Sequence, residues 1–148
     1  MERQEGHKTQ RVLFVCIHNS ARSQMAEELL RRLGGGRFET ESAGLDPGVL
    51  NPLAVEVLRE IGIDISTKQT QSVESRINSG ITYDYVVTVC DGASAERCPV
   101  FPDGGKRLHW SFDDPSGFTG THEEKLDKTR KVRDDIRRKI EQWLMGPT

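Results

Sequence analysis

The chain has 148 residues, with 21 basic and 23 acidic side chains and a net charge of −2. This length suits one domain whose core needs no disulfide bonds, and the balanced charge gives no reason to expect nucleic acid or an anionic membrane as a partner. No apolar run approaches the roughly 20 residues of a membrane span, and the polar start is no signal peptide. We therefore expect a cytoplasmic protein with a flexible tail at residues 1–10 and a single domain at residues 11–148.

The first predicted element is a short buried strand from Val12 to Val15. Cys16 stands where this strand stops, and Arg22 follows after five further residues. A helical repeat of apolar residues then begins at Met25. A thiol and a guanidinium group therefore flank a tight loop between a strand and the start of a helix.

The residues of this loop favour the binding of an oxyanion. Successive N–H groups that enter a helix form an anion-binding concavity, and the helix dipole adds partial positive charge. Arg22 offers a charged fork to two oxygens of a tetrahedral anion. These groups favour a thiolate at Cys16, to which Ser23 could donate its hydroxyl. The alternative is that Cys16 is a small buried apolar residue. The predicted oxyanion-binding loop consists of Ile17, His18, Asn19, Ser20, Ala21, Arg22 and Ser23.

The rest of the chain alternates between strands and helices. The predicted elements are a strand at 38–43 that ends at Gly44, a helix capped by Asn51 and Gly62, a short helix near 73–78, strands at 83–89 and 106–110, and a helix at 122–144. This order favours an α/β domain with a parallel sheet and helices on both faces. Ligands in such folds bind at the carboxyl ends of the strands. Cys16, Cys90 and Asp114 each follow a predicted strand, so we expect them at one rim.

The second and third cysteines have three interpretations. Cytosolic cysteines rarely form structural disulfides, and the usual zinc-ligand spacings are missing, so we expect no metal site. Cys90 and Cys98 could be two unrelated buried thiols. They could also form a relay, in which a second thiolate attacks the sulfur of an oxyanion-bonded Cys16 and a third thiol takes over the disulfide. A relay requires the three sulfurs to come close to one another.

The spacing of Cys90 and Cys98 predicts a conformational change. Eight residues in a helix would separate the two Cα atoms by about 12 Å, whereas a disulfide needs a separation below about 7 Å. The segment from Asp91 to Arg97, rich in small residues, must therefore bend or unwind when the two thiols join, and we expect it to be mobile.

Three motifs together resemble a known family. The sequence CIHNSARSQMAEELL at 16–30 is similar to the phosphate-binding loop of the low-molecular-weight protein tyrosine phosphatase superfamily, and within it to the thioredoxin-coupled arsenate reductases. VTVC at 87–90 with Cys98–Pro99, and HWSFDDP at 109–115, resemble the second and third cysteines and the acid loop of those enzymes. The similarity runs from about Val12 to Trp143 and implies a four-stranded parallel sheet.

The resemblance also implies roles for individual residues. Cys16 would attack arsenate held by Arg22 and the loop, Cys90 would displace arsenite and form Cys16–Cys90, and Cys98 would form Cys90–Cys98, which thioredoxin reduces. Asp114 would be the general acid, because it directly precedes Pro115 as in the family. Asp113 remains the alternative acid. Asn19 would shape the loop, and Ser23 would stabilise the thiolate.

The chain departs from the family in two places. Some members bind potassium, and Asn19 and Glu27 could match two of its ligands. The further Thr and Asp ligands have no clear match at residues 67–71, so we expect no tightly bound cofactor. The spacing of Cys90 and Cys98 is one residue longer than in the family.

Two other functions remain open. One is a phosphomonoester hydrolase that uses Cys16, Arg22 and Asp114, as the phosphatase relatives do. The tyrosines that these phosphatases carry after the Asp-Pro pair are replaced by Ser-Gly-Phe at 116–118, which disfavours a phosphotyrosine site. The other is a non-catalytic thiol sensor or oxyanion-binding module. Phosphate and sulfate are expected to compete with arsenate, and either thioredoxin or a glutathione-based donor could be the reductant. His18 has no predicted role.

Overall fold

The computed structural model describes residues 9–91, 96–98 and 105–146. Within these residues the structure has four strands and four α-helices. The strands are β1 (Gln10–Cys16), β2 (Phe38–Gly44), β3 (Tyr85–Thr88) and β4 (Lys106–His109). The helices are α1 (Arg22–Gly34), α2 (Pro52–Arg59), α3 (Val73–Asn78) and α4 (His122–Met145).

The described strands form one parallel sheet in the order β2-β1-β3-β4. This confirms the predicted four-stranded parallel sheet and places the carboxyl ends of all four strands at one edge. The strand predicted at 83–89 is shorter in the structure. Its length is set by its neighbours, since four residues of β3 pair with Val12–Val15 on one side and with Lys106–His109 on the other.

Strand β1 lies at the centre of the core, because its two faces are both buried. Val12 and Phe14 pack into a cluster with α1, α2 and α4, whereas Leu13 and Val15 pack into a second cluster with α3. A continuous apolar run is what a central parallel strand requires. The helices therefore cover both faces of the sheet, as predicted; we call the α1 side the first face and the α3 side the second face.

Local signals in the sequence account for the helix ends. The side chain of Asn51 accepts a hydrogen bond from the Leu53 N–H and caps α2, as predicted. The helix ends at Arg59, where a tight turn follows, and Gly62 adopts a φ of 85° that favours glycine. At the start of α4, Thr121 forms a reciprocal capping box with Glu124.

Part of the expected structure lies outside the described residues. This holds for residues 1–8 of the predicted tail and for residues 92–95 of the segment predicted to rearrange; Gln10, also assigned to the tail, is the first residue of β1. In the described part of the chain, no helix is both long enough and apolar enough to cross a membrane.

Candidate active site

The loop between β1 and α1 is shaped by hydrogen bonds to its carbonyl groups. The chain that follows β2 donates N–H groups to the carbonyl oxygens of Cys16, Ile17, His18 and Ser20, at 2.8 to 3.1 Å. In a trans peptide unit the N–H points away from the C=O. Because these carbonyls are bonded on the outside of the loop, the N–H groups of the following residues point to the inside. The loop therefore has the concave form that we expect of an oxyanion-binding loop.

Gly44, at the end of β2, allows the two segments to come this close. A Cβ atom at this position would lie 2.7 Å from the Asn19 backbone nitrogen and 2.8 Å from the backbone of Ile17 and His18. Real side chains do not tolerate such distances. A glycine is therefore required here by the close approach of two backbones.

The Cys16 sulfur lies at the base of the loop and is only 2 % exposed. It is 2.9 Å from the Ser23 hydroxyl oxygen, and the Asn19 N–H donates to it at 3.2 Å. The Asn19 amide in turn donates to the Ser23 oxygen at 2.8 Å. Ser23 thus keeps its own proton for the sulfur, and a thiolate at Cys16 would accept two hydrogen bonds.

Asn19 is held in a left-handed conformation, with a φ of 56°. Its side-chain oxygen accepts from the Gln71 N–H at 3.0 Å and from the Gln24 amide at 3.2 Å. Gln24 is fully buried and donates also to the Asn19 carbonyl, at 3.1 Å. The predicted role of Asn19 in shaping the loop is therefore consistent with its contacts. Sequence reasoning missed Gln24 and Gln71, because a polar residue in a first helical turn or in a polar segment carries no signal of burial.

Arg22 joins the loop to the segment after β4. Its guanidinium donates to the Phe112 carbonyl at 3.2 Å and forms an ion pair with Asp114 at 3.3 Å. Only 5 % of the Arg22 side chain is exposed, whereas Asp114 is 34 % exposed. The structure thus places Asp114 at the loop, while Asp113 is exposed to solvent.

Cys90 lies on the same side of the sheet as Cys16. Both thiols are free and belong to the apolar cluster of the first face, and Cys90 is fully buried. Burial raises the pKa of Cys90 to about 11, the positive charge of Arg22 opposes this shift, and negative charge on Cys16 adds to it. The structure therefore brings Cys16, Arg22 and Cys90 within electrostatic reach of one another.

Cys98 lies elsewhere. It is a buried thiol outside any disulfide, and it belongs to the cluster of the second face together with Leu13, Val15 and Val86. The three sulfurs, whose proximity a relay requires, therefore do not share one cluster in this state of the protein. The physical reason is packing, since a buried thiol behaves as a small apolar residue and joins the apolar cluster of the second face.

Asn19 and Glu27, which could match two potassium ligands of the family, already have other partners. The Glu27 carboxylate accepts from the Ser42 hydroxyl at 2.6 Å, and it pairs with Lys68 and Arg31 at 2.7 Å each. The side-chain oxygen of Asn19 accepts two N–H groups. These oxygens are occupied by donors, so the residues present do not fit a potassium ion.

Other described groups near the loop have simple local roles. His18 makes a hydrogen bond of 2.9 Å with the Asp46 carbonyl oxygen through its ring nitrogen Nδ1.

A groove of about 520 Å³ opens beside the loop, between residues 48–53 and 115–118, with Leu50, Leu53 and Phe118 among its walls. Within the described residues, no group of three or more His, Cys, Asp or Glu side chains is arranged to hold a metal ion.

Comparison of the sequence with known families gives one match over almost the whole chain. The family described as low molecular weight phosphotyrosine protein phosphatase matches residues 11–146. The arsenate reductase of Bacillus subtilis (strain 168) is 41 % identical over 132 residues, which cover 89 % of this chain and 93 % of that protein.

Solved structures with this fold include proteins named as arsenate reductases. An arsenate reductase in the phosphate binding state superposes with a TM-score of 0.72 and 29 % identity, covering 93 % of this chain and 98 % of that one. The thioredoxin-dependent arsenate reductase of Corynebacterium glutamicum gives a TM-score of 0.58 and 28 % identity, covering 90 % of this chain and 63 % of that one.

The close approach at Gly44 predicts a selective effect on anion binding. Gly44→Ala should weaken phosphate binding at least about tenfold, because the added Cβ forces the loop backbone away and misplaces its N–H groups. Titration calorimetry with inorganic phosphate measures this change. Gly48→Ala is the matched control, since the atoms nearest to its Cβ would be those of the His18 side chain, at 3.4 Å and beyond, and it should leave binding within about twofold. Equal losses in both variants would contradict the prediction.

Proposed function

Because the chain belongs to the low-molecular-weight phosphotyrosine protein phosphatase family and buries a second thiol on the same face as Cys16, we propose that it reduces arsenate to arsenite. The reaction would use Cys16, Cys90 and Cys98 in turn. The name of the Bacillus subtilis relative supports this substrate. A phosphate-bound arsenate reductase of the same fold supports the loop as its binding site, since phosphate and arsenate are both tetrahedral oxyanions.

One observation carries the proposal, namely the position of Cys90. It is fully buried in the cluster that contains Cys16, and the charges of Arg22 and Cys16 both act on its pKa. A hydrolase with this loop needs a nucleophile, an arginine and an acid, and a second thiol is of no use to it. A reductase needs a second thiol at this place.

The first step would be attack by the Cys16 thiolate on arsenic. The loop N–H groups and Arg22 would hold the arsenate oxygens and stabilise the charge of the transition state. Once the arsenate oxygens have taken over the Arg22 guanidinium from Asp114, this carboxyl would enter the step protonated and give its proton to the leaving oxygen, which departs as water. The product is an arsenic(V) adduct on the Cys16 sulfur.

The second step would transfer two electrons to arsenic. The Cys90 thiolate attacks the Cys16 sulfur, the sulfur–arsenic bond breaks, and its electron pair stays on arsenic, which leaves as arsenite. Before this step the Cys90 thiol, whose pKa is raised by burial, must lose its proton. Bonding to arsenic makes the Cys16 sulfur electrophilic, so Cys90 has a sulfur to attack only after the first step.

The third step would move the disulfide. The Cys98 thiolate attacks Cys90, and Cys16 is released as a thiolate. Cys98 must leave the second face to do so, which supports the conformational change predicted from the spacing of the two cysteines. A dithiol reductant would then reduce Cys90–Cys98. We propose thioredoxin in the cytoplasm, where thiols are kept reduced, and the thioredoxin-dependent relative supports this choice.

Hydrolysis of phosphomonoesters is the second candidate. The groove beside the loop could hold the organic part of such a substrate, and Phe118 supplies an aromatic wall although the tyrosines of the phosphatases are replaced. The same loop would accept the phosphate group. We propose this activity as a weak side reaction that needs Cys16, Arg22 and Asp114.

The relay predicts distinct effects for the third cysteine. With arsenate, thioredoxin, thioredoxin reductase and NADPH, the native chain should consume NADPH over many turnovers, whereas Cys98→Ser should stop after about one equivalent of arsenite. In the same variant, hydrolysis of p-nitrophenyl phosphate should be unchanged, which shows that the variant is folded. Sustained turnover by Cys98→Ser would refute the relay, and a native chain that releases no arsenite would refute the reductase function.

The raised pKa of Cys90 predicts a pH dependence for the second step. The reactive form is the thiolate, so a pKa of about 11 makes this form scarce at neutral pH and more abundant as the pH rises. Single-turnover release of arsenite at saturating arsenate should therefore accelerate between pH 7 and pH 9, by up to about tenfold per unit. Rapid-quench measurement of arsenite tests this, with Cys90→Ser as a control that releases none. A rate that falls with pH would contradict the assignment.

The contacts of Glu27 predict that activity needs no potassium. Replacing potassium chloride by sodium chloride at constant ionic strength should change kcat/KM by less than about twofold, because Lys68 already neutralises this carboxylate. Strong activation of the native chain by potassium would contradict the prediction, because the ion would then have to displace these contacts.

A further inference from the structure

The position of Cys98 raises a chemical problem for the third step. Its thiol is buried in the second-face cluster, which raises its pKa. A resolving thiol has to attack as a thiolate, and an apolar surrounding disfavours that charge. The protein therefore needs a group that counteracts the burial of this sulfur.

Arg107 lies where such a group would act. It belongs to β4 and pairs in register with Val86, whose side chain packs in the same cluster as Cys98. Its guanidinium Nη2 donates a hydrogen bond to the Cys98 carbonyl oxygen at 2.7 Å. Its charge also lowers the pKa of the Cys98 thiol, against the effect of burial.

Other ionisable groups around this cluster are paired with each other. The Tyr83 hydroxyl donates to Glu41 at 2.6 Å, and Glu41 also pairs with Arg76 at 3.1 Å. Burial raises the pKa of Tyr83, so this phenol stays neutral. Arg97, next to Cys98 in the chain, is exposed and pairs with Asp46 at 3.2 Å. The charges of these groups therefore change little over the pH range in which a thiol ionises.

We infer that Arg107 is the positioning residue of the resolving thiol, because it holds the Cys98 backbone and keeps a positive charge beside it. This inference rests on the proposed relay. Arg107 acts before Cys98 leaves the second face: the Cys98 proton goes to solvent there, and the thiolate then moves and attacks the Cys90 sulfur of Cys16–Cys90. The Cys90–Cys98 bond forms as the old bond breaks, and the electron pair leaves on Cys16. The exchange needs no outside oxidant or reductant.

Two variants of Arg107 and one control test the inference. Arg107→Gln removes the charge, and Arg107→Lys keeps it. The control is Lys106→Gln, because Lys106 is the exposed neighbour on the same strand and lines a hollow on the first face with Leu108 and Trp110. After a single turnover with arsenate, samples are quenched and alkylated at set times. Peptide mass spectrometry then measures the two disulfides, Cys16–Cys90 and Cys90–Cys98.

The expected result separates two steps. Arg107→Gln should form Cys16–Cys90 at the native rate and convert it to Cys90–Cys98 about three- to tenfold more slowly. Arg107→Lys should slow this conversion less than Arg107→Gln does. Lys106→Gln should convert at the native rate. Unchanged or faster conversion in Arg107→Gln would overturn the inference. A native chain that forms Cys16–Cys90 but never Cys90–Cys98 would instead overturn the proposed relay.

A second readout distinguishes the charge from a merely structural role. In chains in which Cys16 and Cys90 are both replaced by serine, the rate of Cys98 alkylation reports the ionisation of this thiol. Its pH profile should shift to higher pH with Arg107→Gln and shift less with Arg107→Lys. If Arg107 only held the segment in place, the loss of the side chain would expose Cys98 and speed alkylation without moving the profile.

Discussion

The backbone hydrogen bonds between the loop after β1 and the chain after β2 are the contacts on which the rest of the site depends. They fix the loop carbonyls outward, so that the N–H groups turn toward the concavity above Cys16. The hydroxyl of Ser23, the amide of Asn19 and the buried Gln24 are then arranged around that shape. The absence of a side chain at Gly44 makes this close approach possible. A single backbone constraint thus produces both the proposed anion site and the environment of the sulfur.

Arg22 connects the loop to the other residues of the proposed reaction. It anchors the acid segment through Phe112 and Asp114, and its charge acts on the pKa of Cys90. A permanently charged guanidinium is suited to this, because it keeps the same charge while its neighbours change protonation state. The family to which the chain belongs includes phosphatases by name, and the second thiol near this arginine is what favours a redox reaction over hydrolysis.

Much of the fold could be predicted because its signals are local. The apolar run that ends at Cys16, the cap at Asn51 and the short helix at 73–78 follow from neighbouring residues, and the structure has each of them. The parts that could not be predicted depend on segments distant in the sequence. Gln24 is buried where residues 69–71 lie against it, and Cys98 packs in the second-face cluster with residues of β1 and β3. Neither position is visible in the periodicity of the surrounding sequence.

The position of Cys98 in the second-face cluster has a consequence for the energy of the whole cycle. Its side chain is buried in the cluster that contains Leu13, Val15 and Val86, and withdrawing it would leave a void that the surrounding side chains fill only in part. The form with a Cys90–Cys98 bond would therefore be the less well packed of the two redox states. Such a disulfide is more oxidising than one formed within an undisturbed core, so repacking around Cys98 would itself help to drive reduction by the electron donor.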